Sequence, residues 1–439
     1  MTERRRSVHT ERQRRVQAGR KKPVQITQRR SVQADRQRSV QTGRQRQALY
    51  NRDTQLRRIQ GSGRGSEGRD YYDYNLLAAV ILLTCFGLVM LYSTSAYEAS
   101  VNYNGNDAFY FTKQAAISAA SFGLLLLFSQ LDYHIFARFS KPIYYFSVGL
   151  LVATKVIGRT INGARRWIYI GPISFQPAEL AKLAVILFLP CVIIKMGSRL
   201  STWKGFLQTL AYGAVASFCT YVFTDNLSTA IIIAGITVIL IFIVHPKTAP
   251  FIGAFAAGAA VIALGVWLIA EKVASSSGSF RLRRIMVWLD PEAHASQGGY
   301  QVMQALYAIG SGGFFGKGLG NSTQKLGAVP EAQNDMIFSI ICEELGVFGA
   351  AMVILLFVFL LYRLFFIAQN APDLLGSLIA SGIFVHIALQ VILNIAVVIN
   401  LIPTTGITLP FVSYGGTSIL FLMAEMTLAL SISKQITFK

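Results

Sequence analysis

The sequence predicts an all-α polytopic membrane protein with about ten transmembrane helices and one large extracytoplasmic loop between helices 7 and 8. Of its 439 residues, 53% are hydrophobic and only 14% are charged, whereas soluble proteins carry roughly 25% charged residues. From Tyr71 onward, long apolar stretches alternate with short polar breaks, and about 20 apolar residues span a bilayer. The composition therefore excludes an ordinary soluble enzyme, a coiled coil and a disulfide-stapled secreted scaffold.

The first element is a basic tail over residues 1–70. It contains 20 of the 41 Lys and Arg residues and 6 of the 21 Asp and Glu residues, and it repeats itself in Arg5–Arg20 and Arg29–Arg44. Because it has almost no large apolar residues, we predict a disordered segment. A basic chain can bind nucleic acid, but a basic tail next to a membrane domain is typical of a cytoplasmic segment that contacts anionic lipid head groups. We therefore predict membrane lipids as its partners, and no nucleic acid.

The second element is a membrane domain over residues 71–439. Candidate membrane helices lie near 75–97, 112–131, 142–157, 178–195, 205–223, 227–245, 249–270, 336–366, 373–402 and 408–432. Ten crossings place both termini on the same side of the membrane. The basic tail places that side in the cytoplasm, because cytoplasmic segments carry an excess of Lys and Arg.

Basic residues on two of the predicted outer loops oppose this insertion bias. The loop between crossings three and four carries Arg165 and Arg166, and the long loop near 271–335 carries Lys317 and Lys325. Pairing with outer carboxylates or lipid phosphates is one explanation. An anionic substrate at the outer surface is the other, because guanidinium forks match phosphate oxygens. Both explanations stay open, and these four residues are candidate substrate-binding residues.

The first outer motif runs from Asn162 to Lys182. It predicts a short interfacial hairpin that turns at Gly171-Pro172, followed by a helix with Pro177 in its first turn. Glu179 and Lys182 are three residues apart and so share one helix face. Ionisable residues at membrane depth are functional candidates. We take both as candidate substrate-binding residues, with a self-satisfied ion pair as the alternative.

The second motif lies in the long loop and the helix that follows it. The sequence GGFFGK at 312–317 differs from a phosphate-binding loop, because Ser311 and Gly318 stand where that motif needs glycine and a hydroxyl residue. We predict instead that its glycines permit tight turns or close backbone approach. We also predict that Asp335 caps the following helix. Glu343 and Glu344 would form a buried polar network that braces it.

The third motif is LPFVSYGGTS at 409–418, near the start of the last crossing. Its proline and paired glycines interrupt the helix at membrane depth. Irregular backbone is tolerated there only where it is packed in protein or lines a cavity. Ser413 in this motif is a further candidate substrate-binding residue.

Together the three motifs closely resemble the SEDS family, the FtsW/RodA/SpoVE proteins of bacteria, across essentially all of residues 71–439. The resemblance is carried by NGARRW, QPAELAK, GYQVMQALYAIGSGG, GKGLGNSTQKL, VPEAQNDMIFSIICEELG and LPFVSYGGTS. Within the family, GNSTQKL followed by PEAQNDMIFS is more similar to the division branch (FtsW, SpoVE) than to the elongation branch (RodA).

The resemblance implies a peptidoglycan glycosyltransferase in the bacterial cytoplasmic membrane, at the division septum. Such enzymes polymerise lipid II into β-1,4 glycan strands at the outer face, together with a class B penicillin-binding transpeptidase and other divisome proteins. A lipid II flippase and a catalytically silent scaffold that activates the transpeptidase are the alternatives. A divalent cation, Mg²⁺ or Mn²⁺, could assist the diphosphate, although the sequence shows no metal-ligand pattern.

The chain departs from the family at the essential carboxylate. Family members commonly read Asp-Pro-x-x-Asp-Pro-x-Gly-x-Gly-Tyr-Gln, whereas this chain reads DPEAHASQGGYQ at 290–301, which puts His294 in the second Asp's place. Three explanations stay open. Activity is lost, or His294 acts as the base because imidazole exchanges protons near neutral pH, or Asp290 or Glu292 supplies the carboxylate after a small loop shift. We rank Asp290 first and His294 second, because a carboxylate preserves the family's chemistry, although Asp290-Pro is also a common turn former.

Overall fold

The computed structural model describes residues 71–161, 164–170, 173–246, 251–253, 280–327, 329–330 and 332–437. The predicted disordered tail lies outside the described residues. So does nearly all of the predicted seventh crossing, 249–270.

The described part of the chain is a bundle of α-helices. In chain order they are α1 (Tyr74–Asn102), α2 (Phe109–Phe128), α3 (Tyr133–Arg138), α4 (Ser140–Ile157), α5 (Pro177–Met196), α6 (Trp203–Thr224), α7 (Leu227–Val244), α8 (Phe280–Leu289), α9 (Gly299–Ser311), α10 (Ile337–Asn370), α11 (Leu374–Val398) and α12 (Ser418–Lys434). Short 3-10 turns cover Gly197–Ser201 and Ala295–Gln297.

Seven of these helices, α1, α2, α5, α6, α7, α10 and α11, are long and apolar enough to cross a membrane. The predicted all-α polytopic class is thus confirmed. Helices α4, with 18 residues, and α12, with 17, match the third and tenth predicted crossings but are not among those seven.

Several helices begin where a side chain satisfies their first turn. Asp73, Thr202, Asn226 and Asp373 each accept a hydrogen bond from a backbone N–H at the start of α1, α6, α7 and α11. Such caps replace the partners that the first N–H groups of a helix lack. Pro177 occupies the first turn of α5, as predicted.

Two predictions of helix starts are wrong. The helix of the last crossing does not begin near 408, since α12 starts at Ser418. Residues 399–417 form an irregular segment, which agrees with the interruption that the proline and paired glycines of the third motif predict. Phe411 in this segment has φ +63°, which a continuous helix does not allow. Asp335 does not cap α10, because Met336 holds the N-cap position without a side-chain cap bond.

A small antiparallel sheet connects α4 to α5. Its strands β1 (Arg159–Ile161), β2 (Ala164–Ile170) and β3 (Ile173–Phe175) pair in the order β1-β2-β3. Strand β2 packs against α4, α5 and α6. The predicted interfacial hairpin is therefore present, with one additional strand.

Helix α10 is interrupted at Gly346, where the glycine-rich loop 312–318 enters it. Gly346 has φ +67°, and a Cβ there would lie 2.4 Å from both Gly316 N and Phe314 O. The loop supplies the hydrogen bonds that the helix loses, since Lys317 N donates to Glu343 O at 2.9 Å and Val347 N donates to Gly313 O at 3.0 Å. This confirms the prediction that the glycines permit close backbone approach.

Candidate functional site

Arg166 on β2 lies beside a second arginine, Arg284 on α8, at the predicted outer face. One Arg166 Nη donates to the backbone oxygen of Asp225 at 3.0 Å, and one Arg284 Nη donates to Thr404 O at 3.0 Å. Burial and the positive charge of Arg284 hold the pKa of the Arg166 guanidinium below its usual value, while Asp225 and Asp335 act in the opposite direction. We call Arg166, Arg284, Asp225 and Asp335 the arginine cluster.

The irregular segment 399–417 closes over this cluster. A Cβ on Gly406 would lie 3.8 Å from Arg166 Nη1 and 3.9 Å from Asp335 Oδ2. Arg166 Nε is buried and has no hydrogen-bond partner among the described residues. A buried donor without an acceptor costs ~1–3 kcal/mol. The cluster therefore has an unused donor for a negatively charged oxygen.

Arg165, the other predicted cation of this loop, is bound within the hairpin region. Its Nη1 donates to Lys155 O at 2.9 Å and its Nε to Thr160 Oγ1 at 3.2 Å. Successive side chains of a strand point to opposite faces, so Arg165 and Arg166 face different surroundings. The structure does not bring Arg165 into the arginine cluster.

Helix α8 fixes the catalytic candidates near this cluster. Trp288 lies one turn after Arg284, and its Nε1 donates to Asn400 O at 3.0 Å, so that both side chains bind the segment 399–417. Asp290 follows directly after the helix, six residues beyond Arg284. At a helical rise of 1.5 Å per residue, this separation is about 9 Å along the helix axis.

Asp290 and Glu292 are exposed, whereas His294 is half-buried. The Oδ1 of Asp290 accepts the backbone N–H of Ala293 at 3.0 Å, which is the turn-forming bond of an Asp-Pro sequence. His294 Nδ1 lies 3.0 Å from the backbone oxygen of Asp290. Because a carbonyl oxygen only accepts hydrogen bonds, Nδ1 carries the proton, and Nε2 of the neutral ring keeps its lone pair.

Glu179 and Lys182 form a buried ion pair on α5, with 3.0 Å between Oε1 and Nζ. Lys182 Nζ also donates to Gln390 Oε1 at 3.1 Å, and Gln390 Nε2 donates to Thr408 O at 3.0 Å. The geometry matches the self-satisfied pair that we named as the alternative. Gln390 connects this ion pair to the segment 399–417. Substrate binding by Glu179 and Lys182 stays a prediction.

Lys317 and Lys325 pair with the two glutamates at the interruption of α10. Lys317 Nζ lies 2.7 Å from Glu343 Oε1, and Lys325 Nζ lies 2.8 Å from Glu344 Oε1. Both glutamates are fully buried, and Ser93 Oγ donates to Glu344 at 2.8 Å. The predicted bracing network is present. The geometry favours carboxylate pairing as the reason for these two outer cations, and substrate binding by them stays a prediction.

Ser413 closes a turn in the segment 399–417. Its Oγ accepts the backbone N–H of Leu409 at 2.8 Å, and the side chain is buried. Contact with substrate stays a prediction for this residue.

Metal-ligating side chains are scattered rather than grouped. Over the described ranges, no three or more His, Cys, Asp and Glu side chains lie together in a way that could hold a metal ion. The use of a divalent cation stays a prediction.

The choice of site residues from sequence left out Arg284, Asp225 and the segment around Gly406. Arg284 stands in the sequence RLRRIMVWLD at 281–290, whose three arginines fall in the predicted outer loop, and Trp288 four residues later lies on the same helix face. Asp225 and Gly406 carried no comparable signal, because only the folded bundle brings their loops to β2.

Known proteins match most of this chain. The family model of the FtsW/RodA/SpoVE cell cycle proteins matches residues 73–437. The stage V sporulation protein E of Bacillus subtilis is 37% identical over 367 residues, which cover 82% of this chain and 97% of that protein. A Bacillus subtilis protein named "Probable peptidoglycan glycosyltransferase FtsW" is 37% identical over 370 residues, covering 82% and 90%.

Solved structures show the same fold. A chain of a peptidoglycan synthase complex, described as coordinating polymerisation and crosslinking, has a TM-score of 0.67 and 27% identity, and the match covers 82% of this chain and 97% of that one. The rod shape determining protein RodA of Thermus thermophilus has a TM-score of 0.60 and 25% identity, with coverage of 84% and 98%.

Proposed function

Since the chain belongs to the FtsW/RodA/SpoVE family of cell cycle proteins, we propose that it is a peptidoglycan glycosyltransferase that polymerises lipid II into β-1,4 glycan strands. Relatives that are 33–37% identical to this chain are named probable peptidoglycan glycosyltransferases, and the match covers most of their length. The observation that carries the proposal is the arginine cluster, where two guanidinium groups lie together at the predicted outer face.

The arginine cluster binds the diphosphate of the donor lipid. Polymerisation breaks the bond between the anomeric carbon and the diphosphate, so negative charge develops on the departing oxygens. Preorganised cationic donors stabilise such charge most strongly where water is excluded. Burial holds the pKa of the Arg166 guanidinium below its usual value, and the segment around Gly406 lies over this group. Its unbound Nε–H is the donor that a phosphate oxygen would occupy.

His294 acts as the general base. The acceptor sugar hydroxyl attacks the anomeric carbon with inversion, its proton moves to His294 Nε2, and undecaprenyl diphosphate leaves. The Nδ1–H bond to the Asp290 carbonyl oxygen orients the ring for this task. The geometry favours His294 over Asp290, which we ranked first from sequence, because Asp290 uses one carboxylate oxygen to form the turn.

Topology and partners follow from the same assignment. Both termini lie in the cytoplasm, the hairpin and the long loop face outward, and the protein works at the division septum with a class B penicillin-binding transpeptidase and other divisome proteins. The similarity to a chain from a complex that couples polymerisation to crosslinking supports the transpeptidase partner. The similarity to FtsW and SpoVE proteins supports the division role.

Polymerisation of fluorescent lipid II by the purified protein with its transpeptidase partner tests this function. We expect glycan chains, resolved by gel electrophoresis, in reactions that contain the protein and none without it. Movement of lipid II across liposome membranes without any polymer would support the flippase instead. Absence of both activities, with transpeptidase stimulation intact, would support the scaffold.

A further inference from the structure

A line of buried polar side chains crosses the core of the bundle and joins three helices. His386 and Gln390 lie one turn apart on α11, Glu425 lies on α12, and Glu179 and Lys182 lie on α5. His386 and Glu425 are each 1% exposed. Nothing in the proposed reaction uses His386 or Glu425. Buried ionisable groups at membrane depth are costly and indicate a function.

The directions of the hydrogen bonds around Gln390 are fixed by its partners. Its amide nitrogen donates to Thr408 O at 3.0 Å, because a carbonyl oxygen only accepts. Its amide oxygen receives Lys182 Nζ at 3.1 Å, because an ammonium only donates. The same amide oxygen lies 2.8 Å from His386 Nε2. His386 Nε2 must therefore carry a hydrogen.

The other ring nitrogen of His386 faces a carboxylate. Nδ1 lies 2.7 Å from Glu425 Oε2. With Nε2 already protonated, this contact needs a second hydrogen, either on Nδ1 or on the carboxyl group. His386 and Glu425 therefore hold one proton more than a neutral imidazole and an ionised carboxylate would hold together.

Charge balance requires the same proton. Glu179 and Lys182 neutralise each other at 3.0 Å, so an ionised Glu425 beside a neutral His386 would leave one net negative charge inside the bundle. An unbalanced buried charge is strongly unfavourable. No other described group facing α11 supplies the balance. The charged side chains of α10 are paired within Lys317–Glu343, Lys325–Glu344 and Arg363–Asp73, and α7 and α9 have no charged side chain. Lys195 and Lys434 lie in the last turns of α5 and α12, Asp373 pairs with His134, and Asp335 belongs to the arginine cluster.

We propose that His386 and Glu425 share one buried proton, and that this proton positions Lys182 and the segment 399–417 for glycosyl transfer by holding Gln390 in place. This role rests on the proposed glycosyltransferase function. When the proton leaves, Nδ1 keeps the remaining hydrogen toward the Glu425 carboxylate. Nε2 then presents a lone pair to Gln390 Oε1, and that contact becomes repulsive.

The disturbance reaches the arginine cluster by a short route. Gln390 holds Thr408, and Asn394, one turn further along α11, donates to Ile407 O at 2.7 Å and to Asp335 O at 2.9 Å. The carbonyl groups of Ile407 and Thr408 follow Gly406 in the chain, and Gly406 lies beside Arg166 and the Asp335 carboxylate. His386 is thus a positioning residue, because it acts through Gln390 and does not touch the reacting atoms.

The variant Glu425→Gln separates this role from simple packing. Its amide N–H can donate to Nδ1 of a neutral His386 whose hydrogen sits on Nε2, so the bond to Gln390 survives without the extra proton. We expect near-normal polymerisation by Glu425→Gln at neutral pH. We also expect the polymerisation rate of the unaltered protein to fall at alkaline pH, where the shared proton leaves, and the rate of Glu425→Gln not to fall there. His386→Leu removes the donor to Gln390 and should lower polymerisation by about 10-fold, as for other residues that orient a site. The same alkaline decline in Glu425→Gln and the unaltered protein would overturn the positioning role.

Nitrogen NMR of ¹⁵N-histidine-labelled protein tests the proton itself, independently of any glycosyltransferase activity. The chain contains only five histidines, and the His386 signals are those that move most in Glu425→Gln. We expect a protonated Nε2 in both proteins, and Nδ1 losing its hydrogen, or its share of one, in the variant. A His386 with a bare Nε2 in the unaltered protein overturns the proposal, whether or not that protein makes glycan.

Discussion

At the scale of single residues, the surroundings decide the role more than the residue type does. Arg165 and Arg166 are neighbours with the same side chain. Arg165 binds Lys155 and Thr160 within the hairpin region, whereas Arg166 lies beside Arg284 with an unused donor. The sequence indicated both arginines because outer cations oppose the insertion bias. It could not separate them, because the alternation of a strand becomes informative only once its two faces are known.

The catalytic base is the first residue-scale prediction. We expect His294→Ala to lower the polymerisation rate by ~100-fold or more, because a positioned general base contributes roughly that factor. Asp290→Asn should keep most of the activity, since an amide oxygen can still accept the Ala293 N–H that closes the turn. Glu292→Gln, at an exposed position, serves as the control. Full activity of His294→Ala together with an inactive Asp290→Asn would restore Asp290 as the base.

At the scale of elements, the sequence predicted which segments are helical better than where those helices are irregular. The apolar run over 336–366 gave no sign of an interruption, because Gly346 alone is tolerated within a helix. The break depends on the loop 312–318, which is distant in sequence and supplies the missing hydrogen bonds. The third motif did predict irregular backbone at 409–418, but the start of the last helix was still placed ten residues too early. Its irregular segment is stabilised by Gln333, Gln390 and Asn394, from the preceding loop and α11.

The interruption of α10 gives an element-scale prediction. Gly346→Ala should destabilise the protein by ~2 kcal/mol or more, because a Cβ meets backbone atoms at 2.4 Å and the positive φ disfavours any side chain. Gly310→Ala is the matched control, since a Cβ there meets nothing within 4 Å and Gly310 lies in α9. Thermal unfolding of both variants in the same detergent measures the difference. Equal melting temperatures would contradict this account of the break.

At the scale of the whole molecule, hydropathy and outer charge predicted the architecture, and three motifs predicted the family. The sequence was sufficient to predict the hairpin, Pro177 at the start of α5 and the Glu343–Glu344 network. Each of these features depends on local sequence or on a buried charge that needs a partner. Of the arginine cluster, the sequence predicted Arg166 as a site residue but not its neighbours. Its assembly joins β2, α8 and three loops, and one sequence carries no record of those contacts.

One whole-molecule prediction concerns pH and the face opposite the hairpin. His134 in α3 contacts two carboxylates, Asp132 just before that helix and Asp373 at the start of α11. Its Nδ1 lies 2.7 Å from Asp132 Oδ1, and its Nε2 lies 3.0 Å from Asp373 Oδ2. Burial alone would lower the pKa of His134, but the hydrogen bonds and charges of these carboxylates raise it above its usual value. The protonated form therefore stabilises the folded state. Its contribution is complete below about pH 6.5, the value for an unfolded chain, and is lost as the pH rises through the raised pKa.

Melting temperatures of the unaltered protein and His134→Gln across this pH range check the prediction. We expect the unaltered protein to be the more stable of the two at pH 5.5. The advantage should be small, because the side chains are nearly half exposed and water screens the charges, and it should shrink toward pH 8. An advantage that grows with rising pH would contradict the assigned sign.

The basic tail gives a second whole-molecule prediction. We expect deletion of residues 1–68 to leave polymerisation in vitro within about twofold of the full chain, because a tail on the proposed cytoplasmic side would not reach the proposed outer site. The free tail should bind anionic vesicles more tightly than neutral ones. Attraction to anionic lipid is worth ~1 kcal/mol per basic residue near the surface. A large loss of polymer from correctly inserted, folded protein would show that the tail acts on catalysis.

The central claim is that the arginine cluster stabilises the departing diphosphate, and the initial rate of lipid II polymerisation by arginine variants tests it most directly. Arg166→Ala should lower the rate by ~100-fold or more, the usual effect of removing one preorganised donor. Arg166→Lys should recover only part of it, because an ammonium lacks the guanidinium fork. Arg165→Ala, which removes a neighbouring charge outside the cluster, should retain most of the rate. Full activity of folded, membrane-inserted Arg166→Ala would contradict the account.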